Sequence, residues 1–297
     1  MDAERRWKSL TALGNVLRAQ EKFGQALDMH MEALANAMAR DSAWHIAMGW
    51  NNIGGIFFTA SEWDLAIECF ARITENRRLV KVWSPYYAHG SLALCYLHLN
   101  QIRQGVESVR QALRLESQEI VARNPYGYVA FRLTFVQLAL QGNRIGIAEI
   151  NMRATEAYEF ARLHQNDAHI LLLSELIVAN IEFAYGDHEA ALQHMESLRI
   201  RAHAIPQLMN DVLFSLVQAE KLKGRIDRVR DHLHEWSTHL YPEGAEYAEA
   251  KLQIRGSLPT GTFLNDHLSE LGLERDILSP LPAKLLALMK GPLHETA

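Results

Sequence analysis

Small side chains recur along this chain at a fixed double spacing, with a mid-sized aliphatic residue standing in at two places. The triplets are Gly14, Ala26 and Ala33; Gly54, Ala66 and Ile73; Ala93, Gly105 and Ala112; and Ala179, Ala191 and Leu198. Each runs twelve residues and then seven. Twelve residues span the end of one helix, a tight turn and the start of a second, and seven make two turns along that second helix, so the three positions meet at one helix crossing. The register returns about every forty residues, the signature of a repeat architecture in which each unit is one helix hairpin.

Large residues complete the pattern. In the first unit Leu10, Leu13 and Leu17 form one helical stripe, followed by the turn Glu21-Lys22-Phe23 and a second stripe of Ala26, His30 and Ala33. Trp50, Ile53 and Phe57 precede Ser61-Glu62-Trp63 in the second unit, and Leu92 and Tyr96 precede Asn100-Gln101 in the third. A fifth unit turns at Gly186-Asp187-His188. Units four and six keep turns at Gly142-Asn143 and Gly224-Arg225, but carry Phe135 and Ile147, and Val217, Val229 and Trp236, at the crossing. Those two hairpins are expected to splay or to shift register.

The arrangement resembles the tetratricopeptide repeat (TPR), a helix hairpin with small residues at its crossing and large ones beside it. The resemblance covers about residues 5 to 240. Turns at Glu21, Ser61, Asn100, Gly142, Gly186 and Gly224 are separated by 40, 39, 42, 44 and 38 residues, against the ~34 usual for the family. The longer period implies longer helices and is similar to that of a subclass found in bacterial regulators, where such arrays accompany transcriptional, cyclic-nucleotide or phosphatase outputs. The fold expected is therefore all-α, a right-handed TPR-like superhelical solenoid of about six hairpins with a C-terminal helical cap.

Proline placement sets the boundaries. Pro85, Pro125 and Pro206 each stand just ahead of an apolar helical stripe, where a missing amide hydrogen costs nothing. The other five, Pro242, Pro259, Pro280, Pro282 and Pro292, crowd into the last 56 residues. The array is thus expected over 1–241, with 242–297 supplying capping helices at Glu246 to Arg255 and Phe263 to Leu273, then a hinge at Ser279-Pro280-Leu281-Pro282 before a helix over Ala283 to Met289. That hinge also suits a linker to an output domain.

Composition excludes several classes. The start, Met1-Asp2-Ala3-Glu4-Arg5-Arg6, has no apolar stretch behind its charges, unlike a secretory signal. The most apolar run, Ile170 to Ile181, is interrupted by Ser174, Glu175 and Asn180 and is short for a bilayer. These features point to a cytoplasmic protein with no membrane partner. A net charge of -5 argues against nucleic acid, since that binding rests on neutralising phosphates. Cys69 and Cys95 have no partner spacing. Fourteen histidines yield no HExxH motif and no cluster of three ligands; His232 and His234, two apart on one helix, point in different directions. No nucleophile elbow or glycine-rich phosphate loop is present, and Gly54-Gly55 suits close helix packing. Neither catalytic residues, nor a metal, nor a cofactor is expected.

What remains is recognition. The TPR resemblance implies that the first helix of each hairpin lines a concave groove. Its candidate residues are Asn15 and Arg18, Asn51 and Phe58, Tyr87, Leu94 and Leu97, Arg132, Val136 and Leu140, Leu176, Asn180 and Phe183, and Gln218. The middle of this set is apolar and its ends are polar, which suits an apolar helix or an extended peptide of a protein partner. The same residues also suit burial inside the array or in a homodimer. Chaperone-binding members of the family resemble one another in a clamp of two asparagines and three basic residues; here Asn15 and Asn52 stand at the asparagine places, but Thr11, Tyr87 and Ser91 replace the cations. The expected role is the sensory or regulatory region of a bacterial signalling protein, with an array fused to a catalytic output such as a diguanylate cyclase, or a free-standing adaptor or homodimerisation scaffold, as alternatives.

Overall fold

The computed structural model of this chain describes residues 3–240 apart from 21, 60, 61, 143 and 144, and excludes the side chains of 206, 207, 237, 239 and 240. The turn residues Glu21, Ser61 and Asn143, the expected cap and the expected hinge lie outside the described residues. Among those described there are fourteen helices and no strand. Ten form five pairs of chain neighbours packed together: α1 (Ala3–Ala19) with α2 (Phe23–Ala39), α3 (Ala43–Thr59) with α4 (Trp63–Thr74), α9 (Pro125–Gly142) with α10 (Ile147–Leu163), α11 (Ala168–Tyr185) with α12 (His188–Ala202), and α13 (Pro206–Leu222) with α14 (Ile226–Leu240); α6 (Tyr86–His98) and α7 (Ile102–Arg114) follow one another in the chain. Two short helices, α5 (Arg77–Val82) and α8 (Gln118–Arg123), lie between pairs. They take up part of the extra repeat length.

Local chemistry explains where the helices begin. The carboxylates of Asp167 and Asp187 each accept two backbone N–H groups in the first turns of α11 and α12, at 2.9–3.2 Å. Asn76 and Ser117 do the same work for α5 and α8, satisfying amides that have no partner inside the helix. Asn124 accepts from the Gly127 amide at 3.0 Å, and Pro125 opens α9 with the backbone angle a helix needs. Pro206 opens α13 and Pro85 immediately precedes α6. Asn100 and Gly224 break the chain between α6 and α7 and between α13 and α14 with positive φ angles of 56° and 69°.

The described chain forms two compact units. One holds the chain up to Tyr96 with Gln111–Leu115; the other holds Leu97–Arg110 and the chain from Glu116 onward.

In the first unit the small residues work as crossing points. A Cβ added to Gly14 would lie 2.5 Å from the His30 ring, and one added to Gly54 would lie 2.7 Å from the Phe70 ring. Each glycine thus admits a ring sixteen residues further on. Gly49 lets α3 close onto Leu34 of α2 in the same way, at 2.9 Å. The inward stripe of α1 is Trp7, Thr11 and Gly14, whereas the expected Leu13 is 49% exposed. Trp7 decides that register, because its ring packs against His45 of α3 at 4.2 Å and turns Leu13 outward.

In the second unit the two irregular hairpins differ. Ile147, expected at the crossing of the fourth pair, is 49% exposed, and α10 instead buries Ile150, Ala157 and Ala161. The register has slipped by three residues, nearly one turn. The sixth pair buries Val217 and Trp236 as expected, with Val229 partly covered, so larger side chains are accommodated without a slip.

Ion pairs repeat with the hairpins inside each unit. Arg40 to Glu4 and Arg78 to Asp41 tie residues 36 and 37 apart in the first unit. Arg110 to Glu149, Arg199 to Glu235 and Arg225 to Glu189 tie residues 39, 36 and 36 apart in the second. Each is exposed enough to contribute at most about 1 kcal/mol, so they mark the repeat more than they hold it.

Candidate recognition faces

The first helices of the pairs present very different surfaces in the two units. In the first unit, α1 and α3 meet along a polar face. Asn15 is exposed and Arg18 and Asn51 are partly buried, and none of the three side chains makes a hydrogen bond or ion pair among the described residues. The Arg18 guanidinium lies over Gly55: a Cβ there would sit 2.7 Å from Nη1. Burial pushes its pKa below the ordinary arginine value, because a desolvated guanidinium is favoured less. Phe58 and Thr59 follow on α3, partly buried, and the Thr59 hydroxyl donates to the Gly55 carbonyl at 2.8 Å.

Beneath that face lies His30, 1% exposed, with neither ring nitrogen hydrogen-bonded among the described residues. Burial, with the Arg18 charge as a second cause, lowers its pKa to about 4. The ring is therefore neutral at physiological pH and serves as packing over Gly14.

In the second unit the polar groups of the first helices are spent on one another. Arg132, at mid-length of α9, is 2% exposed. Its two terminal nitrogens donate to both oxygens of Glu116 at 2.8 Å, Nε donates to Glu156 at 2.8 Å, and Nη1 also donates to the Tyr128 carbonyl at 2.9 Å. The guanidinium carbon stands 3.4 Å from the centre of the Tyr128 ring, and Arg153 donates to both oxygens of Glu156 at 3.1 Å. Such forked, stacked and neutralised geometry is what a buried arginine needs.

Further along α9, Gln137 donates to the Ser215 hydroxyl of α13 at 3.0 Å, and Asn180 of α11 donates to that hydroxyl at 3.1 Å and to the Leu176 carbonyl at 2.8 Å. Near the start of α9, the Tyr126 hydroxyl donates to Asp211 of α13 at 3.2 Å, and the Tyr126 ring packs on His169 of α11 at 4.3 Å. Burial raises the Asp211 carboxyl to about 7, partly offset by the Tyr126 hydrogen bond.

Apolar residues of α9 and α11 are equally enclosed. Val136 and Leu176 are completely buried, as Leu97 and Phe183 nearly are; of the apolar residues expected in the groove, Phe58, Leu94 and Leu140 stay partly open. Tyr87 and Gln218 are partly buried as well. The face expected to be an apolar groove in the middle of the array is, within the second unit, largely interior. The residues sequence reasoning missed here are Glu116, Glu156, Tyr126, His169 and Ser215. The signal was available in α9, which is apolar on every side and so cannot present one face to water; a lone arginine and glutamine in such a helix must find partners.

No model of a known protein family matches this chain, and no curated protein matches it in sequence. Among the described residues no three histidine, cysteine or acidic side chains are grouped to hold a metal ion. Cys69 and Cys95 are buried and form no disulfide, and burial pushes the Cys69 thiol far above its ordinary value. One described helix, α11, has the length and apolarity of a membrane span; it packs against α9, α10, α12 and α13.

Proposed function

We propose that this chain is a non-catalytic recognition module, a TPR-like right-handed superhelical array whose α1/α3 face takes an extended segment of a protein or peptide partner. The observation that carries this proposal is that Asn15, Arg18 and Asn51, on two adjacent first helices, make no side-chain hydrogen bond among the described residues. Amides with both donors and acceptors open are suited to hold a peptide backbone. The TPR-like assignment is supported by the successive helix pairs and by the glycine-over-ring crossings at Gly14/His30 and Gly54/Phe70. The forty-residue period and the proline-rich segment after Tyr241 support a regulatory region of a cytoplasmic bacterial signalling protein, in which partner binding biases an output.

Selection from a random dodecapeptide phage library tests the recognition role. The purified chain is expected to enrich a shared motif, and Asn15→Ala with Asn51→Ala is expected to weaken the selected peptide at least tenfold while helicity is unchanged. Failure to enrich any motif overturns the proposal.

A further inference from the structure

We propose that α13 is a strap that closes over α9 and α11 within the second unit and is released when Asp211 becomes charged. Asp211, Phe214 and Ser215 fasten it. The Asp211 carboxyl accepts from the Tyr126 hydroxyl of α9 at 3.2 Å, and the Ser215 hydroxyl accepts from Gln137 of α9 at 3.0 Å and from Asn180 of α11 at 3.1 Å. The Phe214 ring lies 4.9 Å from that of His98, which belongs to the same unit. These three residues of α13 stand at i, i+3 and i+4, so a single turn of one helix face carries every fastening. Gln137 and Ser215 are buried. The closed strap thus spends the Gln137 and Asn180 amides inside the fold, and its withdrawal returns both to a partner or to water.

The surroundings of Asp211 make its charge the release. From α9 it faces the Tyr126 hydroxyl, and from α11 the His169 ring stands behind that of Tyr126, at 4.3 Å. Burial lowers the His169 pKa, with Asp167 opposing, so this neighbour is neutral above pH 7. His98 meets Phe214 and, at 6.1 Å, Trp236 of α14. The charges that α12 and α14 bring to α13 gather further along it: Glu196, Arg199, Arg228, His232 and Glu235 form one cluster with Glu220. Glu175 and Glu182 of α11 face Arg201 and His194 of α12. Burial therefore dominates at Asp211 and raises it to about 7, with the Tyr126 hydrogen bond pulling the other way. An ionised carboxylate recovers its hydration by leaving such a site. Because the closed value lies above the ordinary 3.8, closure is strongest at low pH, weakens as pH rises to 7 and levels off beyond it.

Amide hydrogen exchange of the whole chain at pH 6, 7, 8 and 9, corrected for the intrinsic pH dependence of exchange, tests the strap. Wild type is compared with Asp211→Asn, and the ratio of their rates at each α13 amide cancels the histidine contributions common to both. That ratio is expected to rise about tenfold between pH 6 and 8 and then to level off. In dilute urea the α13 amides are expected to respond far less steeply than the amides around Ile150 and Ala157 of α10, because the strap opens without unfolding the unit. Ser215→Ala is expected to speed α13 exchange about tenfold at every pH and to leave the pH dependence as it is. Tyr126→Phe removes the hydrogen bond that favours the charged carboxyl, so its α13 exchange is expected to go on rising above pH 7, where wild type levels off. A ratio that does not change with pH, or one whose urea dependence matches that of α10, overturns the proposal.

Discussion

The two units solve one problem in opposite ways. Each carries polar groups on the first helices of its hairpins. In the second unit those groups are matched: Arg132 by Glu116 and Glu156, Gln137 and Asn180 by Ser215, Tyr126 by Asp211. In the first unit, among the described residues, Asn15, Arg18 and Asn51 make no side-chain hydrogen bond and His30 has two unbonded nitrogens. A polar layer that satisfies itself fixes helix positions, and the open one is the face proposed above for a peptide.

The sharpest way to break this comparison is at Arg132. Arg132→Met strips Glu116, mostly buried, of its partner while Glu156 keeps Arg153, so the second unit is expected to lose about 3–5 kcal/mol in urea unfolding followed by hydrogen exchange. A loss below about 1 kcal/mol would mean the buried network does not hold that unit together. Next in size is Asp211. Its folded-state value near 7 lies above the ordinary 3.8, so the folded state binds the extra proton and the wild type loses stability as pH rises from about 4 through 7. Asp211→Asn removes that loss and is expected to be the more stable chain at pH 8 by on the order of 2–4 kcal/mol, with the gap closing at pH 4.

A comparable effect separates the groove candidates by unit. Leu176→Ala should cost about 2–4 kcal/mol as a cavity in a filled interior, whereas Asn51→Ala should change stability by less than about 0.5 kcal/mol. Equal effects would erase the contrast between an enclosed face and an open one.

His30 gives a smaller effect of opposite pH sense to Asp211. Its folded value near 4 lies below the ordinary 6.5, so the folded state binds fewer protons. Its contribution is complete above about pH 6.5 and is lost as pH falls toward 4. His30→Phe copies the Gly54–Phe70 crossing, and the advantage of the variant should grow by on the order of 2 kcal/mol between pH 7.5 and 4.5. Five of the six tryptophans, Trp7, Trp44, Trp50, Trp63 and Trp83, lie in the first unit, so fluorescence follows its unfolding.

The sequence by itself determined that the chain is helical, that its helices follow one another as hairpins, and where several of them cross. Gly14 and Gly54 are legible because a missing side chain at a repeated spacing has one structural use, and Pro125 and Pro206 because a helix tolerates proline only at its start. It also named Asn15, Arg18 and Asn51 as facing away from their own hairpins. The tertiary structure alone decided which of the outward-facing residues stay open. Val136, Leu176 and Arg132 occupy the same helical positions that would line a groove, and no local pattern separates a side chain facing water from one facing another helix distant in sequence. Asp211 meets Tyr126 across 85 residues and Ser215 meets Gln137 across 78. Helix periodicity reports which way a side chain points, and only the packing of distant helices determines what it meets there.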